Sequence, residues 1–358
     1  MSSEQNRRRS PDLTRRRIVD VACAIFLSSL LAACGGAGRG EPVRVHVPVG
    51  ASFGEVTDSL AKYQIITAPV LFQVYARVRG ASRGVKPGTY GFRRGTSWDR
   101  VLDDLNAGRV LTARLVIPEG WDLRGIAPRI SEVTAVNAEK VLRVLFDTAV
   151  ARRFSVPGPT LEGYLYPATY NFTIDTPLDT VISHLVAAYK RVWTPERRAR
   201  AKEIGMSERE VVTLASIVEK EARQRAEMPT ISAVYHNRLR IGYRLDADPT
   251  VQYALGEHQK RLLYKHIESV ADHPYNTYRQ YGLPPGPIAS PSVLGIDAVL
   301  NPAEANYLYF VARPDGSHIF TRSLAEHNRA KAAIQRMQSA PARAAPGRAE
   351  SARPPAGQ

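Results

Sequence analysis

Cysteine is scarce: Cys23 and Cys34 are the only two in 358 residues. That excludes a disulfide scaffold and a four-thiolate zinc site. Long apolar runs are also missing. One stretch, Val21–Ala33, approaches membrane character. At thirteen residues it is shorter than the roughly 20 that a spanning helix needs, so a polytopic membrane protein is excluded. Acidic residues are short too, 34 Asp+Glu against 49 Lys+Arg, for a net charge of +15. A basic chain suits nucleic acid, an anionic membrane or an acidic wall polymer. There is no zinc-finger spacing, RNP-type strand or Gly-rich phosphate loop, so no nucleic-acid partner is expected. His236, His258, His266, His273, His318 and His327 show no i,i+4 pairing. Neither a metal nor another cofactor is called for.

What remains is globular in composition, with 44% hydrophobic and 23% charged residues. The length allows about two domains of ~150 residues with tails. Arg7-Arg8-Arg9 and Arg15-Arg16-Arg17 precede the apolar stretch, which ends Leu31-Ala32-Ala33-Cys34-Gly35. Two readings fit. In one the segment is a signal peptide with a lipobox, and Cys34 is lipidated; Thr14–Arg17 also weakly resembles a twin-arginine signal. In the other it is an uncleaved anchor, with the arginines held inside. Both attach the N-terminus to a membrane and put the body outside the cytoplasm.

A fragment recurs three times in the body. Gly50-Ala51-Ser52 precedes Val56 and Leu60, Gly95-Thr96-Ser97 precedes Val101 and Leu105, and Gly120-Trp121-Asp122 precedes Ile126 and Ile130. Each copy reads as a turn glycine, a small or capping residue and a short helix. The expected organisation is a signal or anchor (1–33), a linker (34–41), a small LysM-like α+β module (42–113), a larger α+β domain (114–338) and a disordered tail (339–358). Modules of the LysM type often dock on amino-sugar glycans, and a plain βα packing unit is the alternative. Long helices are expected at 178–193, 207–224 and 323–337.

The helix from 207 carries the candidate chemistry. Ser207 and Glu210 form a capping-box pattern. Val211, Leu214, Ala215, Val218 and Ala222 form one apolar stripe, with Glu219 and Glu221 on its two edges. Spacing alone leaves both acids open. Small residues, Ala215 and Ser216, lie one turn before Glu219, and bulky Ile217 and Val218 lie before Glu221. Space for a ligand therefore favours Glu219. A carboxyl at the edge of an apolar stripe loses water, and its pKa rises toward general-acid range.

ASIVEKE (215–221) resembles the core motif of the YceG-like, or MltG-type, endolytic murein transglycosylases. The resemblance continues through KPGTY (86–90), LEGYLYPATYNF (161–172), VYHNRLRIGYRLDADPTVQYALG (234–256), YNTYRQYGLPPGPIASPS (275–292) and NYLYFVARPDGSHIFTRSLAEHN (306–328). It departs at Ala168, where the family has Asp, and at Leu245-Asp246-Ala247, where it has Leu-Gln-Ser. The resemblance implies a lyase that cuts the MurNAc–GlcNAc β-1,4 bond of nascent peptidoglycan strands with 1,6-anhydro ring formation. Glu219 would both give and take the proton. Asn276 would orient the substrate, and Tyr275, Thr277, Tyr278, Asp248 and Thr250 would contact it. The Tyr-rich loop could instead pack on the core. Glu162 is a minor candidate for a second acid. Family members act beside glycan synthases, so the penicillin-binding class is the implied protein partner. Two rival classes remain: a muramidase-like hydrolase with Asp246 or Asp248 as base, and a wall-binding scaffold without catalysis.

Overall fold

A computed structural model describes residues 37–339. The expectations for Cys34, for the apolar stretch before it and for the tail after Ser339 lie outside the described residues. No described helix is long and apolar enough to cross a membrane. The fold is α+β, as expected, and its strands form three two-stranded antiparallel sheets among the described residues.

The chain divides into two compact units. The first holds residues up to Val116 together with 127–141 and 169–182. In it β1 (Ala37–Val47) pairs with β2 (Gly88–Thr96), Val45 opposite Tyr90. Between them run α1 (Phe53–Lys62) and α2 (Pro69–Val78), and α3 (Trp98–Ala107) follows. Strand side chains alternate in direction, so Val45, Val47, Tyr90 and Phe92 point inward onto Val56, Leu60, Phe72, Leu102 and Leu105. β3 (Thr112–Val116) pairs with β4 (Thr169–Thr173). The recurring glycines have a shared cause. Gly50, Gly95 and Gly120 all take a left-handed φ, between 72° and 79°, which other residues adopt only with strain. Ser52 then closes a capping box with Glu55, and Asp122 accepts from Gly125 N–H at 2.9 Å.

The second unit holds residues 117–126, 142–168 and 183 onward. The remaining helices in chain order are α4 (Leu123–Val133), α5 (Ala138–Phe146), α6 (Thr148–Arg153), α7 (Leu178–Val192), α8 (Pro195–Glu203), α9 (Glu208–Glu221), α10 (Met228–Arg240), α11 (Asp248–Leu255), α12 (Tyr264–Ser269), α13 (Val293–Leu300) and α14 (Leu324–Ser339). β5 (Tyr309–Ala312) and β6 (His318–Thr321) form a hairpin. α9 is the central rod, packed on α10 and α13 with α8 and α11 beside it. All eight residues from Val211 to Val218 are buried, so the helix is covered on every side and not along one stripe. It also stops earlier than expected: Ala222 leaves helical geometry at ψ 115°. The acids at 219 and 221 therefore sit in its last turn.

Candidate active site

The start of α9 follows its sequence signal. Ser207 N–H donates to Glu210 at 2.8 Å, and Glu210 N–H donates to Ser207 Oγ at 3.3 Å. Further along, Ser216 Oγ accepts from Ile288 N–H at 3.0 Å and donates to Thr213 O at 2.7 Å. That pair ties the end of the Pro-rich segment 282–287 to the rod. Ser216 is thus a structural hydroxyl.

The two acids of the last turn face different surroundings. Glu219 Oε2 accepts from Ser292 N–H at 3.0 Å and from Ser292 Oγ at 2.6 Å. Ser292 is the N-cap of α13, so the carboxylate rests at a helix N-terminus, where the dipole favours negative charge. A Cβ on Gly295 would lie 2.9 Å from Glu219 Oε2. The small residues before Glu219 thus admit a neighbouring helix and not a ligand. Glu219 lines neither of the two cavities at this end of the helix.

Glu221 lines both. One cavity, of about 700 Å³, has Trp121, Arg124 and Tyr253 on its wall. The other, of about 440 Å³, has Tyr235, Arg238 and Tyr278. Glu221, Asp248, Ala312 and His318 belong to both. Tyr235 Oη donates to Glu221 Oε1 at 3.0 Å. Burial, and secondarily the Asp248 charge, push the Glu221 pKa up to about 7; Tyr235 and Arg238 oppose this. A carboxyl poised there can hold a proton and release it near neutrality. A larger cavity of about 760 Å³, beside Thr213 and Pro284, contains neither acid.

The other predicted residues divide. Asp248 is exposed in the groove, and Tyr278 Oη donates to it at 2.6 Å. Tyr275 stacks obliquely on Tyr253, with ring centroids 4.8 Å apart, which makes it a support for a groove wall. Asn276 is fully buried: Nδ2 donates to Ile267 O and Val270 O, both at 2.9 Å, and Oδ1 accepts from Tyr278 N–H at 3.1 Å. Thr250 and Thr277 are buried and 2.8 Å apart through their hydroxyls, and Thr277 Oγ1 also accepts from Ala247 N–H at 3.0 Å. Asn276, Thr250 and Thr277 hold the loop in shape, because their polar groups are spent on backbone and on one another.

Glu162 is 1% exposed and accepts from Leu123 N–H at 3.2 Å on each oxygen. Burial drives its pKa up to about 8; Leu123 N–H opposes this, Asp122 adds to it, and the Tyr253 hydroxyl and Arg124 lower it. It sits behind the groove wall at the start of α4 and does not line the cavity. Sequence reasoning missed Tyr235, and it missed the His318–Glu227 pair, where Nδ1 and Oε2 are 2.7 Å apart. His318 reaches the groove from β6, and no spacing on a single helix reveals it.

Residues 45–333 match the YceG-like family. A protein named endolytic murein transglycosylase, from Bacillus subtilis (strain 168), is 34% identical over 305 residues, covering 81% of this chain and 84% of that one. A protein of the same name from Streptococcus pneumoniae serotype 2 (strain D39 / NCTC 7466) is 28% identical over 317 residues, covering 80% of this chain and 57% of that one. The solved 2.6 Å structure of a yceG-like protein from Listeria monocytogenes is similar at 33% identity and a TM-score of 0.56, over 82% of this chain and 100% of that one. With the match spanning most of its length, the chain belongs to the YceG-like family.

Proposed function

We propose that this protein is a peptidoglycan lytic transglycosylase acting within glycan strands in the cell envelope, and that Glu221, not Glu219, is its acid–base residue. The observation that carries the assignment is the placement of Glu221 where two cavities meet, with a pKa raised to about 7. The protonated carboxyl gives its proton to the glycosidic oxygen as the C1–O bond breaks. The C6 hydroxyl of the same MurNAc attacks C1, and its proton returns to the Glu221 carboxylate. The cycle ends with Glu221 as it began, a 1,6-anhydro end and no water consumed. An intramolecular nucleophile has a high effective concentration, so no second carboxylate is required, unlike in ordinary glycosidases. Tyr235 holds one carboxyl oxygen and leaves the other to the groove. Tyr253, backed by Tyr275, and Tyr278 offer stacking and hydroxyl contacts suited to sugar rings.

One observation favours a second reading. Asp248 shares the groove and could act as base for a water, as in a muramidase. Mass spectrometry of the products from uncrosslinked strands separates the two: anhydro ends support the lyase, and ends heavier by one water support the hydrolase. The N-terminal stretch acts as the membrane attachment in this reading, and the LysM-like module as a glycan contact. Glycan synthases are the proposed partners. A membrane pull-down that recovers none of them contradicts that part.

A further inference from the structure

Helix α2 carries an apolar face that no described element covers. Phe72 and Ala76 are fully buried, while Val70 is 72% exposed, Leu71 53%, Val74 51% and Val78 83%. At about 100° per residue those four fall within an arc ~100° wide. Isolated exposed aliphatics are ordinary, but four on one stripe mark a contact surface. The charge along this part of the chain has one sign. Between Asp58 and Asp99 the sequence holds Lys62, Arg77, Arg79, Arg83, Lys86, Arg93 and Arg94 and no acid. Arg79 and Tyr75 take up Asp99 itself.

The helix also stands beside the point where the chain enters the module. Thr96 is the register partner of Ala37. Two residues on, Trp98 packs against Phe72 at 5.6 Å and Tyr75 at 5.7 Å between centroids. Cys34 is three residues before Ala37, a reach of at most about 10 Å. A chain attached to a membrane through residues 21–34 is thereby held with this end of the module close to the lipid.

We infer that α2 lies in the headgroup region of an anionic bilayer, with Val70, Leu71, Val74 and Val78 against the acyl boundary and the flanking arginines at lipid phosphates. A basic helix with one apolar face has this preference. The inference rests on the proposed membrane attachment and adds a second contact, which fixes the orientation of the module on the membrane.

The test uses the full chain reconstituted in vesicles containing phosphatidylglycerol, with a fluorescent amino acid encoded at Val74 or, as control, at Lys86. Lys86 is exposed and lies at the opposite end of the β1–β2 ladder. Flotation reports attachment, and quenching by brominated lipids reports the depth of α2. The expected result is flotation of both proteins, with quenching at position 74 at least about twofold stronger than at 86. Val70→Glu with Val78→Glu should remove that difference while flotation and circular dichroism stay unchanged. Flotation with equal quenching at 74 and 86 overturns the inference alone. Protection of position 74 from aqueous iodide without lipid quenching also overturns it, because it marks a protein partner or a second copy. Failure to float overturns the attachment and the inference together.

Discussion

The last turn of α9 holds two glutamates two residues apart with opposite fates. Glu219 meets the capped start of another helix and is held by both donors of Ser292. Glu221 meets two cavities, one tyrosine hydroxyl and a neighbouring aspartate charge. The first environment occupies one carboxyl oxygen with two hydrogen bonds and packs a helix against it. The second penalises charge and makes the carboxyl a proton carrier. What differs is the far side of the contact, not the helix.

Breaking this contrast has its largest effect at Glu221. Glu221→Gln keeps the shape but cannot cycle a proton, and strand cleavage should fall by about 10³-fold or more, with glycan binding retained in a co-sedimentation assay. Glu219→Ala strips the Ser292 contacts from the start of α13. Calorimetry should find a loss of about 1–3 kcal/mol in stability, while activity per folded molecule stays within a few-fold of wild type.

Glu162 sharpens the comparison, being buried but outside the groove. Its folded pKa, about 8, lies above its unfolded value, 4.5. The stability it contributes is therefore full below about pH 4.5 and is lost as pH rises through about 8. Glu162→Gln removes that loss, so the variant should melt higher than wild type at pH 9 and no higher at pH 4.

The smallest effects are shifts in the pH profile. An acid must be protonated to donate, so kcat/KM should fall as pH rises through about 7. Asp248→Asn removes a charge that raises the Glu221 pKa and should move this limb to lower pH. Tyr235→Phe removes a donor that stabilises the carboxylate and should move it to higher pH. Opposite shifts in one assay identify Glu221 as the titrating group. Shifts of one sign, or none, place the titration elsewhere.

Much of this was legible in the sequence. The Ser207–Glu210 box, the three left-handed glycines and the long helices follow from local rules of capping and periodicity. The family motifs point to the helix that carries the proposed acid. The acid on that helix was not legible from local pattern. Ala215 and Ser216 advertise space beside Glu219, but Gly295, far along the chain, shows that the space belongs to α13. Asn276, Thr277 and Thr250 read as sugar contacts by residue type, yet each is buried with its polar groups satisfied within the loop. A polar residue in a loop is equally suited to ligand or backbone, and only burial separates the two. Tyr235 and His318 come from different elements, so no one-dimensional spacing brings them to Glu221.

The most direct test assays Glu219→Gln and Glu221→Gln side by side on uncrosslinked glycan strands, counting anhydro-ended products by mass spectrometry. Abundant anhydro product from the Glu219 variant and essentially none from the Glu221 variant is the predicted result. The reverse pattern would return the chemistry to the face of α9 that packs on α13 and contradict the account.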